Sequence, residues 1–295
     1  LSFSLDLDEE SAKGTINYND PNYNLLGNSL NYSFSNTSND VPDRGYENSL
    51  ITAAIGTGFE QYKDVDVFLG LEINFDDLRT DDTASASVKK QEGNFTELAA
   101  NYRFTFDKRN RVYDPTDGNL ISFGQSIPIY ADSSSLSNTF QFSQYRMFSE
   151  NFVGSSKLYL SAINGIGEDD VRLSKRKSLS TRRLRGFQKN KIGPMDGNDH
   201  IGGNYASALN LEGSLPNFLP ENTGMDLKVF LDFGNLWGVD FDSSIDDSNK
   251  IRSSAGISAN WKSPLGPINF TLAQNLLKAD TDKTESFSFN LGTTF

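Results

Sequence analysis

Residues 65–75 read VDVFLGLEINF, and every second position from Val65 to Phe75 is apolar. The positions between them carry mostly polar or small residues, among them Asp66 and Glu72. A period of two places the apolar side chains on one face of an extended strand. A strand of this length suits a tilted crossing of a bilayer, whereas strands of soluble proteins cluster near about 5–6 residues. The stretch therefore predicts a long strand with one apolar and one polar face.

The same alternation recurs along nearly the whole chain, bounded by Gly, Asn, Asp and Pro. Further strands are predicted near 1–8, 13–19, 30–34, 45–59, 98–106, 119–130, 136–148, 153–166, 205–215, 226–233, 251–261, 268–272 and 287–295. No amphipathic helical pattern of useful length interrupts them. The sequence therefore predicts an all-β protein of about fourteen antiparallel strands, nine before a long loop and five after it.

The polar faces favour a transmembrane barrel over a soluble sandwich or propeller. They carry mostly Ser, Asn, Thr, Gly and single charges, as suits the interior of an outer-membrane barrel, whereas a soluble sheet usually shows water many Lys and Glu. Connections also alternate in length, as they do between the two rims of such barrels. Short ones are predicted at 60–63, 149–151 and 264–267, and long ones at 36–44, 78–93, 167–200 and 238–250. Two connections of middling length, 108–118 and 215–223, fall in the short set.

Composition sets further limits. The hydrophobic content is 36% and mean hydropathy is −0.49, which alternating strands produce even when one face is continuously apolar. The chain has no cysteine, so no disulfide or thiolate metal site is expected. Its net charge of −12 argues against nucleic acid as a partner. Because the chain begins at Leu1 and carries no signal peptide, we expect a mature or trimmed product.

The loop at 167–200 concentrates positive charge in an otherwise acidic chain. A loop of this length is uncommon in a compact domain unless it carries function. Its cations are Arg172, Lys175, Arg176, Lys177, Arg182, Arg183, Arg185, Lys189 and Lys191. Arg185, Gly186 and Phe187 supply a forked donor, a permissive backbone and an aromatic anchor. We predict that the loop folds back into the barrel and finds carboxylates there; the alternative is that Arg185 is one more solvated loop cation.

Four blocks of sequence resemble the C-terminal barrel of the BamA family of outer-membrane protein assembly factors, in the bacterial surface antigen superfamily. They are LRGF at 184–187 with IGP at 192–194, IGGN at 201–204 with Leu211-Glu212, FLDFGNLW at 230–237, and SAGI at 254–257 continuing through Trp261 and SPLGP at 263–267 to Phe295. The first block is similar to the family's loop motif, usually written V-R-G-F. The resemblance is strong over 170–295 and weaker but continuous before it.

The resemblance implies a bacterial outer-membrane barrel, with residues 1–295 forming one domain whose loop at about 167–200 inserts into the lumen. The family barrel has sixteen strands. The turn at 18–23 is similar to the one after the family's fourth strand, so Leu1 would begin near the third. We therefore expect a fragment that lacks the first two strands and the periplasmic POTRA domains, the alternative being a fourteen-strand variant.

The resemblance also implies which residues act. The loop motif is Leu184, Arg185, Gly186 and Phe187, and the arginine would pair with Glu212 and Asp232, which the alternation independently places on the polar face. The last strand would form half of a lateral gate that opens to template a client strand. Its alternating residues are Phe287, Phe289, Leu291 and Phe295, and Gly292 would weaken pairing at the seam.

The function implied is the insertion and folding of client β-barrel proteins. Partners would be outer-membrane lipid, unfolded client outer-membrane proteins, and accessory assembly lipoproteins bound mostly through the POTRA domains. A passive porin, a translocation and assembly module barrel and a two-partner secretion transporter remain as alternatives. No enzyme, cofactor or metal is expected: His200 is the single histidine, with no nucleophile motif beside it, and we expect it to be solvated.

Overall fold

The computed structural model describes residues 1–8, 10–41, 44–215, 219, 223–263 and 266–291. The strands before the long loop are β1 (Ser2–Asp8), β2 (Ser11–Asp20), β3 (Ser29–Val41), β4 (Tyr46–Tyr62), β5 (Val65–Thr80), β6 (Gly93–Asp107), β7 (Gly118–Ala131), β8 (Ser135–Ser149) and β9 (Phe152–Gly165). The loop itself contains a two-residue pair, β10 (Met195–Asp196) and β11 (Asp199–His200). The strands after it are β12 (Tyr205–Leu215), β13 (Met225–Trp237), β14 (Arg252–Ser263), β15 (Gly266–Leu277) and β16 (Phe287–Leu291).

Among the described residues, fourteen of these strands form one sheet, and every strand pairs antiparallel with its neighbour along the chain once β10 and β11 are set aside. The helical elements in the described part of the chain are α1 (Ala86–Lys89) and a 3-10 turn at Leu173–Lys175. Neither helical piece in this part of the chain has the length and apolar character needed to span a membrane. The predicted all-β fold, with nine strands before the loop and five after, is confirmed.

The two faces of the sheet differ as the alternation predicted. In β5, Leu69, Leu71 and Phe75 are exposed on the outer face, which in a membrane meets lipid. Glu72 and Asn74 point to the inner face, where the Asn74 amide donates to Glu72 at 2.7 Å. Hydrogen bonds of this kind satisfy polar side chains that face the interior of the barrel.

One predicted connection is wrong. The sequence predicts a long loop at 36–44, but β3 continues through these residues to Val41, paired with β2 on one side and β4 on the other. This part of β3 lacks an apolar face, and its Ser, Asn and Thr side chains gave the appearance of a loop. A strand that extends beyond the hydrocarbon region no longer needs an apolar outer face, so alternation fades there while backbone pairing persists.

The sheet curls around the long loop. One loop segment contacts Asp76 on β5, Asp232 on β13 and Glu10 in the β1–β2 turn. A single segment can touch strands so far apart in the sheet order only if the sheet is rolled into a barrel around it. Among the described residues no ladder joins β16 to β1, so these two strands are the edges of the sheet.

Candidate functional site

The long loop leaves β9 after Gly165, enters the barrel and returns to the wall at Tyr205. Two clusters of buried apolar side chains hold it there. The outer cluster joins Leu173 and Ile201 of the loop to Val41, Tyr46, Leu78, Ala84 and Val88. The inner cluster joins Leu179, Leu184, Phe187 and Ile192 of the loop to Ala206, Ala208 and Leu236 on β12 and β13. Because burial of apolar surface is the main favourable term in folding, these two clusters stabilise the loop inside the barrel.

The first half of the loop carries buried cations that meet carboxylates on the wall. Arg172 donates to Asp76 at 3.3 Å and lies over the ring of Phe95, 4.5 Å from its centroid. Farther along the loop, Lys175 pairs with Glu97 on β6. These ion pairs lie where β5 and β6 meet the loop, so they fix the point at which it enters the barrel.

Two further cations complete this half of the loop. Arg176 donates to Asp240 in the β13–β14 connection at 2.5 Å. Lys177 donates its ammonium to the Ser137 hydroxyl at 2.7 Å. Burial lowers the pKa of Lys177 to about 8, and the neighbouring Lys175 acts in the same direction. Burial therefore disfavours the charged form of Lys177, so its ammonium lowers the stability of the folded protein at neutral pH.

Arg185 forms the centre of the second half. Its Nε donates to Asp232 Oδ2 at 2.7 Å and its Nη2 to Asp232 Oδ1 at 2.6 Å, so the guanidinium grips that carboxylate with two parallel bonds. Its Nη1 donates to Glu212 Oε1 at 2.8 Å. The side chain of Asp232 is 0% exposed and that of Arg185 is 10% exposed. The structure thus brings together the three residues that the sequence singled out for pairing.

Three residues that the sequence reasoning missed support this contact. Asn210 on β12 donates to Asp232 Oδ1 at 2.7 Å and to the Arg183 carbonyl at 3.0 Å. Lys157 on β9 donates to Glu212 at 2.8 Å, and its positive charge balances the negative charge of that carboxylate. Phe230 points inward from β13, and the Arg185 guanidinium lies 3.7 Å from its ring centroid.

Their signal in the sequence was weak. Asn210 and Lys157 each occupy a polar position of a strand, as do many residues of this chain. Phe230 breaks the expected rule, because it is an aromatic residue on the polar face. A check of register against Asp232, two residues away on the same strand, would have identified it as an inward ring.

Gly186 and Phe187 add further contacts between the loop and the barrel wall. The Gly186 carbonyl accepts from the Asn275 amide at 2.8 Å and from the Glu285 N–H at 3.0 Å. Gly186 has φ +85°, and a Cβ there would approach the Ala273 Cβ to 3.0 Å. Phe187 is 2% exposed within the inner cluster. Together with Leu184, also buried in that cluster, the whole motif is enclosed.

Just beyond the motif, the loop reaches both edges of the sheet. The Gln188 N–H donates to the Lys283 carbonyl at 3.1 Å, in the connection between β15 and β16. The Asn190 amide donates at 2.7 Å to Glu10, in the turn between β1 and β2. The loop therefore contacts a connection adjoining each edge strand.

The predicted gate residues are placed in part. Phe287 and Phe289 lie on the outer face of β16 and are 52% and 65% exposed. Leu291 pairs in register with Ile268 of β15. Gly292 and Phe295 lie outside the described residues.

His200 is buried, at 4% exposed, so the expectation of a solvated histidine is wrong. Its Nε2 lies 3.3 Å from the carbonyl oxygen of Thr281, in the connection between β15 and β16. Among the described residues no group of three or more His, Asp or Glu side chains could hold a metal ion.

Sequence comparison places this geometry in a family. The Omp85 superfamily domain matches residues 1–295. The outer membrane protein assembly factor BamA of Neorickettsia risticii is 26% identical over 268 residues, which cover 89% of this chain and 36% of that protein. The BamA of Nitratidesulfovibrio vulgaris is 28% identical over 226 residues, covering 73% of this chain and 28% of that protein. The chain thus spans about a third of the length of these relatives.

Solved structures show the same fold. The BamA of Haemophilus ducreyi lacking POTRA domains 1–3 superposes with a TM-score of 0.84 at 22% identity, over 97% of this chain and 63% of that one. CdiB from Acinetobacter baumannii is less similar, with a TM-score of 0.54 at 11% identity over 96% of this chain and 57% of that one. This chain is therefore an outer-membrane β-barrel that belongs to the Omp85 superfamily.

Proposed function

We propose that residues 1–295 form the membrane barrel of an outer-membrane protein assembly factor, which inserts and folds client β-barrel proteins. The proposal rests on one observation: Arg185 forms hydrogen-bonded ion pairs with Asp232 and Glu212 inside a barrel of this superfamily. The pairing fills the interior with an ordered loop, which suits an assembly barrel better than an open pore. The relatives named as assembly factors support the same role.

The client would be received at the edges of the sheet. A strand with unpaired N–H and C=O groups templates another strand by β-augmentation. In the described part of the chain, β16 pairs with β15 and β1 with β2, and no ladder occupies the other edge of either strand. We propose that the seam between β16 and β1 opens for an incoming strand, with Phe287 and Phe289 facing lipid beside it.

The loop would couple to this seam. Its docked position depends on Arg185, and its next residues contact the connections beside both edge strands. A docked loop would hold the edges in a fixed relation while the client pairs. Chemistry at the seam would be hydrogen-bond exchange between strands, without covalent catalysis or a cofactor. Lipid, unfolded clients and accessory lipoproteins reached through POTRA domains would be the partners.

The proposal is tested by replacing the loop arginine in the full-length protein. Removing one partner of a buried ion pair costs about 3–5 kcal/mol, and each 1.4 kcal/mol is about a factor of ten. We expect Arg185→Ala to reduce the docked loop population at least tenfold and to slow client insertion into lipid vesicles. Arg185→Lys would restore little, because an ammonium cannot grip Asp232 with two parallel bonds.

Two readouts decide the outcome. Trypsin cleavage near Lys189 reports loop release, and heat-resistant migration of a radiolabelled client reports insertion. Arg182→Ala is the matched control, since Arg182 is an exposed arginine of the same loop. Client insertion at the wild-type rate by folded Arg185→Ala protein with a released loop would refute the proposed role of the motif.

A further inference from the structure

A groove of about 570 Å³ crosses β8, β9, β12 and β13 near the rim of the short connections. Its side walls are the apolar side chains Phe148, Phe152, Leu211, Val229 and Leu231. This volume falls within the range of small-molecule sites, about 300–1,000 Å³. Glu212 and Phe230, which belong to the Arg185 contact, also border the groove, so the strand register decides on which face of the wall it lies.

Strand register places the groove on the lipid-facing side. Leu211 pairs with Leu231, and Val229 pairs with Gly213, so these side chains share one face. Leu211 and Val229 are 38% and 43% exposed. Glu212, at the position between Leu211 and Gly213, points to the opposite face and meets Arg185. The groove and the Arg185 contact thus lie back to back across one wall of the barrel.

Two neighbouring glycines create the depression. Gly154 on β9 pairs directly with Gly213 on β12, so two adjacent strands lack side chains at the same level. Aromatic rings fold down over both. A Cβ at Gly154 would meet the Phe148 ring at 2.6 Å, and one at Gly213 would meet the Phe152 ring at 2.7 Å. The rings therefore line a shallow apolar channel and leave the outer surface indented.

Among the described residues that line the groove, Arg146 is the cation. Arg146 on β8 pairs with Gly154 and therefore lies on the same outer face. Its guanidinium lies 6.0 Å from the Phe148 ring centroid. The residue is exposed, and in the described part of the chain no carboxylate forms an ion pair with it. Arginine at a membrane interface keeps its stem on apolar surface and its charge among headgroups.

We propose that this groove holds an acyl chain of an anionic phospholipid whose phosphate binds Arg146. A planar guanidinium suits phosphate oxygens, and the apolar walls suit a hydrocarbon chain. The groove lies near the β8–β9 turn at 150–151, on the rim that faces the periplasm in outer-membrane barrels. The lipid would come from the periplasmic leaflet, and the proposal does not depend on the assembly function.

Other occupants fit the observations less well. A client strand needs an unpaired strand edge, whereas β8, β9, β12 and β13 are each paired on both sides. A second copy of the chain would bury about 800 Å² per partner in a standard interface, far more than this narrow channel offers. Charge complementarity between an unpaired arginine and a phosphate leaves the anionic lipid as the fitting occupant.

Native mass spectrometry of the full-length protein, released from nanodiscs of phosphatidylglycerol and phosphatidylethanolamine, tests the site. We expect wild-type protein to retain one phosphatidylglycerol in preference to phosphatidylethanolamine. Arg146→Gln should lower that retained fraction at least threefold. Val229→Trp, which fills the groove at an exposed position, should lower it with the charge intact.

The controls are matched to each variant. Lys63→Gln removes an exposed cation from the same rim, and Phe104→Trp enlarges an exposed side chain on the outer face of β6. Both should retain lipid as wild-type protein does, and heat-modifiable migration confirms that each variant is folded. Three results would overturn the proposal. Wild-type protein could retain both lipids equally, or Arg146→Gln and Lys63→Gln could lose lipid to the same extent. Dimers of the wild-type protein that disappear in Val229→Trp would show instead that a second copy occupies the groove.

Discussion

Arg185 shows how one residue can depend on a complete set of partners. Its donors meet Asp232 and Glu212, its face meets Phe230, and its carbonyl accepts from Ser254. Two carboxylates face two cations once Lys157 is counted, so the four charges balance. Buried charges are tolerated when they are paired and hydrogen-bonded in this way. Loss of Arg185 therefore leaves the fully buried Asp232 carboxylate without its cation.

Gly186 carries a separate, steric requirement. At φ +85° an L side chain is strained, and its Cβ would also crowd Ala273 and Asn275 at 3.0 and 3.3 Å. We expect Gly186→Ala to lower the free energy of barrel unfolding by about 1–3 kcal/mol, measured by urea denaturation in lipid vesicles.

Gly197→Ala separates strain from crowding, because Gly197 has φ +61° and a Cβ added there would meet no atom within 4 Å. It should lose less stability than Gly186→Ala. Equal losses in the two variants would show that the close approach to Ala273 has no energetic weight.

Lys177 gives the loop a pH dependence. Stability rises with pH wherever the unfolded chain binds more protons than the folded one. Its pKa is lowered from 10.5 to about 8, so between those values the unfolded lysine keeps a proton that the folded one has lost. The stability of the wild-type protein should therefore rise across that window relative to Lys177→Met. At pH 7 we expect Lys177→Met to be more stable than wild type by about 1–3 kcal/mol.

Urea denaturation at a series of pH values measures the difference. The advantage of Lys177→Met should be greatest near pH 7 and shrink toward pH 10.5, while the exposed control Lys90→Met stays parallel to wild type. A constant difference across the series would mean that the Lys177 ammonium is not the titrating group.

At the scale of elements, strands were predictable and the loop conformation was not. Alternation identifies β5 from Val65 to Phe75 because burial on one face forces a period of two. It misses the end of β3 at Val41, since polar extensions beyond the membrane lose that constraint. The motif at 184–187 and the inward acids indicated the pairing of Arg185.

The remaining anchors of the loop depend on folding of the whole sheet. Nothing local to Leu173 or Ile192 distinguishes a residue buried against a distant strand from one in a solvated loop. Asp76 likewise looks like any polar residue of β5, yet it receives Arg172 from 96 positions later in the chain. Such contacts are set by the curling of the sheet around the loop, which one sequence window does not encode.

At the scale of the molecule, the residues that the structure describes form a fourteen-stranded sheet that wraps the long loop and ends at β1 and β16. The loop unites distant parts of the wall, since it binds carboxylates on β5, β6, β12 and β13. The outer face carries exposed apolar side chains such as Leu69, Leu71 and Phe75, and Arg146 lies near one rim of it. Interior and exterior therefore have separate tasks, loop docking on one side and lipid contact on the other.

The same architecture predicts electrical behaviour that separates an assembly barrel from a porin. With two apolar clusters and a row of ion pairs across the interior, the full-length protein should conduct weakly in planar lipid bilayers. Replacing residues 168–200 by a short Gly-Ser linker removes those contacts and should raise single-channel conductance several-fold, because water and ions then fill the lumen. Shortening the turn at 110–116 on the opposite rim is the control and should leave conductance low. If the wild-type protein conducts as strongly as the loop-deleted one, the loop does not occlude the barrel and the porin alternative gains the advantage.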